Sequence, residues 1–137
     1  MFVTLKEAFM EKQAVSSAEA PRALGPYSQA VRWGNLLFLS GQVGIDPETG
    51  KLVEGGVEAQ ARQVFKNIAA ILAAVGLDFS CLLKTTVFLK DMAHFKTLNG
   101  IYASHVPEPY PARSALAVRE LPLGAEVEIE AIAMIKK

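Results

Sequence analysis

Three short stretches of this 137-residue chain hold most of the side chains whose type and setting could do chemistry. In Gly25-Pro-Tyr-Ser-Gln29 a turn leads into a strand and presents Tyr27, a phenol that could orient a ligand or cap a pocket, or simply pack. In Ser40-Gly41-Gln42 a glycine interrupts a strand, which marks close approach of another backbone or a ligand, or else a bulge. In Pro109-Tyr-Pro-Ala-Arg-Ser114 a proline-stiffened loop delivers Arg113 to the start of a strand. A guanidinium is a planar fork that meets a carboxylate with two parallel hydrogen bonds, although most lone arginines are only solvated.

Other chemistries find little support. There is no Ser/His/Asp set, no phosphate-binding glycine loop and no metal-ligand spacing. Cys81 is the single cysteine, with no base beside it, and reads as a small buried hydrophobe. His94 and His105 are the two histidines. On one helix they would stand about three turns apart, too far to chelate one ion.

Composition narrows the partners. Fourteen basic residues balance fourteen acidic ones, so the chain lacks the cationic field that draws nucleic acid or an anionic membrane. Hydrophobic residues make up 51% and mean hydropathy is +0.25, yet no window reaches the length of a membrane span. A small domain this apolar must expose the excess or bury it against copies of itself. Lys6, Glu7, Glu11 and Lys12 interrupt any signal-peptide stretch, which points to a cytosolic protein. Leu5, Ala8 and Phe9 suit one amphipathic turn of a loosely attached extension, so residues 1–19 read as extension and lead-in and residues 20–137 as one domain.

The elements that must position these residues follow from periodicity. Tyr27 to Arg32 and Leu36 to Val43 read as strands joined at Gly34-Asn35. Asp46-Pro-Glu-Thr-Gly50 is a turn before a short strand at Lys51 to Val53. Val57, Ala61, Val64, Ile68, Ile71, Leu72 and Val75 recur at helical steps, with Gly76 placed as a left-handed cap. Leu83 to Lys90 is β-branched and aromatic, hence a strand. Asp91 caps a second helix that runs to about Val106 with Phe95, Leu98, Tyr102 and Val106 inward. Strands over about Ser114 to Arg119 and Val127 to Ile135 close the chain. The order predicts an α+β sandwich, five or six strands in a mixed sheet with both helices on one face.

The last strand alternates. Val127, Ile129, Ala131, Ala133 and Ile135 share one side, while Glu126, Glu128, Glu130, Ile132 and Met134 share the other. Carboxylates beside Ile and Met suit a wet subunit interface with a pocket, or a solvated face with two incidental apolar residues.

Taken together, the segments resemble the Rid family, also called YjgF or L-PSP endoribonuclease. The resemblance rests on Gly25-Pro-Tyr-Ser-Gln-Ala-Val, Leu39-Ser-Gly-Gln-Val, Asp46-Pro-Glu-Thr-Gly50, Gln60-Ala-Arg-Gln, Lys84-Thr-Thr-Val-Phe-Leu-Lys-Asp, Pro111-Ala-Arg-Ser and Val127-Glu-Ile-Glu-Ala-Ile-Ala. It runs from about Ala20 to Lys137, nearly the whole chain. It implies a chorismate-mutase-like sandwich assembled as a homotrimeric barrel, helices outside and active sites between subunits. It also implies hydrolysis of 2-iminobutyrate and 2-aminoacrylate to 2-keto acids and ammonia, with no cofactor and no metal.

By the same resemblance Arg113 is the carboxylate clamp and Glu128 the group that positions or activates water. Tyr27, Gly41 and Asn99 line or support the site. The family's archetypal deaminases carry Cys or Thr two residues after the arginine, where this chain has Ala115. That departure bears on substrate range or rate if the side chain acts, and on nothing if the backbone NH does. Two other readings share the same residues: a non-catalytic carboxylate-binding or chaperone-like module, and an endoribonuclease or translation inhibitor, which the neutral charge and lack of a histidine pair disfavour.

Overall fold

Among the described residues six strands form one sheet in the order Gln13–Val15, Ala30–Trp33, Leu36–Val43, Val127–Met134, Leu82–Leu89, Ala112–Ala117, and a separate two-stranded hairpin accompanies it. The computed structural model describes Thr4 and residues 11–136. The amphipathic turn expected around Leu5, Ala8 and Phe9 lies outside those residues.

Strands β1 (Gln13–Val15), β2 (Ala30–Trp33) and β3 (Leu36–Val43) run antiparallel in sequence. Gly34 turns the β2–β3 hairpin with φ 61°. The small hairpin pairs β4 (Ile45–Asp46) with β5 (Lys51–Leu52), and its Asp46–Gly50 turn closes through Gly50 N–H to Asp46 carbonyl at 2.8 Å. Helix α1 (Gly56–Ala73) follows, then β6 (Leu82–Leu89), α2 (Phe95–His105), β7 (Ala112–Ala117) and β8 (Val127–Met134). Among the described residues only β6 and β7 pair in parallel, because α2 carries the chain back between them.

Helix α1 packs on β3 and β8 and against α2. On that side Val64, Phe65, Ile68, Ile71 and Leu72 meet Leu37, Leu39, Val87, Leu89, Val127 and Ile129, all nearly or fully buried. Each such side chain contributes roughly 1.5–3 kcal/mol relative to exposure. Helix α2 joins the same core through Leu98, Ile101 and Tyr102, the Tyr102 hydroxyl sharing a buried 2.8 Å hydrogen bond with Thr85 Oγ1. Both helices therefore cover one sheet face, as the hydrophobic pattern predicts.

The opposite face is uncovered. The register puts Glu128, Glu130, Ile132 and Met134 of β8 beside Phe88, Thr86, Lys84 and the start of β3. Phe38, Leu116 and Met134 on this face are each about 40% exposed.

Several boundaries differ from the sequence reading. Residues 27–29 are a loop, not strand: Tyr27 N–H turns back to the Gly25 carbonyl at 2.8 Å, and buried Gln29 turns its amide onto the lead-in segment. Asp91 caps a 3-10 turn at Met92–His94 through the Ala93 N–H, and α2 starts only after it. Strand β7 begins two residues early and stops at Ala117, and β1 gave no sequence signal because it is three residues long.

Candidate active site

Alternation along the central strands divides the predicted site residues into two groups on opposite faces of the sheet. Arg113 pairs with Thr85, whose side chain is buried under α2, so Arg113 projects to the helix side. Glu128 neighbours core-facing Ile129 and projects to the uncovered side.

The Arg113 group is built on β7 and α2. Arg113 Nη1 donates to Asn99 Oδ1 at 2.8 Å. Its guanidinium carbon lies 4.8 Å from the centre of the Tyr102 ring and 5.3 Å from that of Phe95. The Thr85 hydrogen bond fixes the Tyr102 ring in turn. One donor of the guanidinium is thus engaged while the rest of the exposed fork faces a cavity of about 480 Å3 bounded also by Tyr110 and Pro111. A fork held in this way can take an anion without first being oriented.

The Glu128 group is built on β3, β8 and the lead-in loop. The β3–β8 register slips between Leu39 and Gln42, so Ser40-Gly41 forms an irregularity that brings the Gly41 backbone against Glu128. A Cβ at Gly41 would stand 2.8 Å from Glu128 Cδ, so only glycine leaves the carboxylate in place. Burial, and secondarily the charge of Glu130, push the Glu128 carboxyl above the usual carboxylate range. Tyr27, Gly41 and Glu128 share a cavity of about 440 Å3 with Arg22, Leu24 and Leu123.

Two anchors shape that cavity. Gln29 donates from Nε2 to the carbonyls of Pro21 at 2.7 Å and Ser17 at 3.1 Å, and accepts from Ser17 N–H at 2.6 Å, which pins the loop carrying Arg22 and Leu24. Asn67 on α1 donates to the carbonyls of Ile45 at 2.9 Å and Val43 at 3.3 Å, tying down the exit of β3. Leu123 holds φ 59°, sparsely populated for a non-glycine residue, and is two-thirds exposed at the cavity wall.

Of the predicted residues, the structure brings Arg113 to Asn99, and Tyr27 and Gly41 to Glu128. It does not bring the two groups together within one chain. Ala115 lines neither cavity; it is half-buried, packs on the core and pairs with Val87. Arg22, Leu24 and Leu123 were not singled out from sequence, because an exposed loop residue leaves no periodic signal. Both histidines are engaged elsewhere: His105 stacks on Phe65 with ring centres 4.7 Å apart, and His94 lies 3.7 Å from Glu126. Cys81 is buried and free. Among the described residues no three His, Cys, Asp or Glu side chains gather as a metal site.

Comparison with known proteins extends this geometry. Residues 17–135 match the family model described as endoribonuclease L-PSP. Over 126 residues the chain is 54% identical to Reactive Intermediate Deaminase A, chloroplastic, of Arabidopsis thaliana, covering 92% of this chain and 67% of that one. It is 50% identical over 123 residues to the mouse protein named 2-iminobutanoate/2-iminopropanoate deaminase, covering 90% and 91% of the two chains. The crystal structure of E. coli TdcF with bound serine superposes with a TM-score of 0.83 at 38% identity, covering 90% and 99%. The chain belongs to the endoribonuclease L-PSP, or Rid, family that its motifs resemble.

Proposed function

We propose that this protein is a deaminase that hydrolyses 2-imino and 2-enamino acids, such as 2-iminobutyrate and 2-aminoacrylate, to 2-keto acids and ammonia. It works as a homotrimer whose sites join the Arg113 group of one subunit to the Glu128 group of the next. The observation that carries the reading is the division of clamp and base onto opposite faces of one sheet, in a chain half identical to proteins named for this reaction. A small ligand cannot touch both faces of a single sheet, whereas a neighbouring copy can supply the missing half. The exposed Phe38, Leu116 and Met134 give the uncovered face an apolar surface suited to burial against such a copy. The serine bound to TdcF is a small amino acid with the carboxylate that a guanidinium fork takes.

An enamine substrate first gains a proton at its terminal carbon and loses one from nitrogen to give the imine; from there the chemistry needs little machinery because an imine carbon is already electrophilic. Arg113 holds the substrate carboxylate and fixes the C=N carbon beside a water, a proximity effect. Glu128 takes a proton from that water as its oxygen bonds to the carbon, and passes it to the imine nitrogen. The resulting 2-amino-2-hydroxy acid then breaks its C–N bond, releasing ammonia as the hydroxyl gives up its proton to form the keto acid. A carboxyl with raised proton affinity serves both transfers near neutral pH better than an ordinary one. Tyr27 and the Gly41 backbone border the reacting group, and Asn99 orients the clamp.

The test generates 2-iminobutyrate in place with a threonine dehydratase and follows 2-ketobutyrate. Acceleration by the protein that drops by tenfold or more in Arg113→Ala is the expected result. Absence of acceleration by the folded wild type contradicts the deaminase reading.

A further inference from the structure

The cavity that holds Glu128 also holds a cation that the mechanism does not use. Arg22 lines it from the lead-in loop and makes no ion pair or hydrogen bond with any described residue. Its neighbour Pro21 has a ring-restricted φ, and the Pro21 carbonyl is held by Gln29 at 2.7 Å. The guanidinium therefore extends from a fixed backbone over an otherwise mostly apolar wall that includes Leu24 and Leu123. No ion pair joins it to Glu128, whose proton affinity is raised by burial and by the charge of Glu130. An unpaired guanidinium at the rim of a ligand cavity is free to take a planar anion.

We propose that Arg22 forms a second carboxylate subsite, so that the substrates include 2-imino dicarboxylates, the imines of acidic amino acids. This rests on the deaminase reading for turnover, with Arg113 holding the carboxylate next to the imine and Arg22 the distal one. The cavity of about 440 Å3 has room for a five-carbon acid. Glu128 and Glu130 would repel a distal carboxylate on their own, and Arg22 is the charge in the cavity that offsets them.

Binding separates this inference from the catalytic one. The probes are 2-oxoglutarate and 2-oxobutyrate, titrated by calorimetry at fixed ionic strength into the assembled protein and its Arg22→Ala and Arg22→Lys variants. The expected result is that the ratio of 2-oxoglutarate to 2-oxobutyrate affinity falls about tenfold in Arg22→Ala and is partly restored in Arg22→Lys, which keeps the charge without the fork. An unchanged ratio, an equal loss for both acids, or no binding of 2-oxoglutarate by the wild type overturns the subsite. A parallel assay with 2-iminobutyrate reports on the deaminase reading: wild type without turnover sinks that reading, while the affinity ratio still decides the role of Arg22.

Discussion

The two halves of the proposed site are held in opposite ways. On the helix side Arg113 is tied by Asn99 and flanked by two aromatic rings, one of them fixed by Thr85, so its fork is oriented before any ligand arrives. On the uncovered side Glu128 has no hydrogen-bond or ion-pair partner among the described residues; the Gly41 backbone lies against it, and its proton affinity is raised by burial and by the charge of Glu130. The first half is built to bind with geometry already fixed. The second keeps a carboxyl reactive by withholding partners, and the cost of its desolvation falls on the native state. The proposed binding and proton-transfer roles call for these different environments, and separate sheet faces let each be built without compromising the other.

That contrast orders what substitutions should do. Glu128→Gln keeps the shape and removes the base, so kcat for 2-iminobutyrate should fall about 10²- to 10⁴-fold with little change in KM. A comparable loss carried by KM would place Glu128 in binding instead. Gly41→Ala puts a methyl 2.8 Å from Glu128 Cδ and must displace the carboxyl; kcat should drop by about tenfold to a hundredfold while the affinity for keto-acid products changes less. Arg113→Lys keeps the charge but loses the fork and the ring stacking, and should raise KM several-fold; wild-type KM in this variant would show that orientation by Asn99 and Tyr102 is irrelevant.

The smallest effect concerns pH. Burial and Glu130 disfavour the ionised form of Glu128, so its proton leaves at higher pH than for an ordinary glutamate. Only the ionised form serves as base, so the acidic limb of the kcat profile should lie above the ordinary glutamate range. Glu130→Gln removes one of the two causes and should move that limb to lower pH. A limb that stays in place would assign the titration to another group.

Much of this fold was legible because its signals are periodic. The 3.6-residue recurrence from Ala61 to Leu72 and the strict alternation of Val127 to Met134 each report one buried face. The glycine in Ser40-Gly41-Gln42 was readable as a close approach, though not that Glu128 was what approached. Polar core residues were opaque. Gln29, Gln60 and Asn67 are buried because their amides satisfy loop and strand backbone: Gln60 Oε1 accepts from Glu126 N–H at 2.8 Å. Nothing in a sequence marks a glutamine as one that buries. Tyr27 and Arg113 stood out by their type and setting, but Asn99 and the role of Glu128 were nameable only through the family resemblance, since spacing alone does not join Asn99 to a side chain fourteen residues on.

Subunit complementation tests the central claim most directly. Arg113→Ala and Glu128→Gln proteins, each nearly inactive alone, are mixed under conditions that exchange subunits, and 2-iminobutyrate hydrolysis is measured. If each site draws Arg113 from one subunit and Glu128 from its neighbour, random trimers regain roughly a quarter of the wild-type activity, since one neighbour pair in about four restores both groups. Activity that stays at the level of the separate variants, with mixed trimers present, would contradict a site shared between subunits.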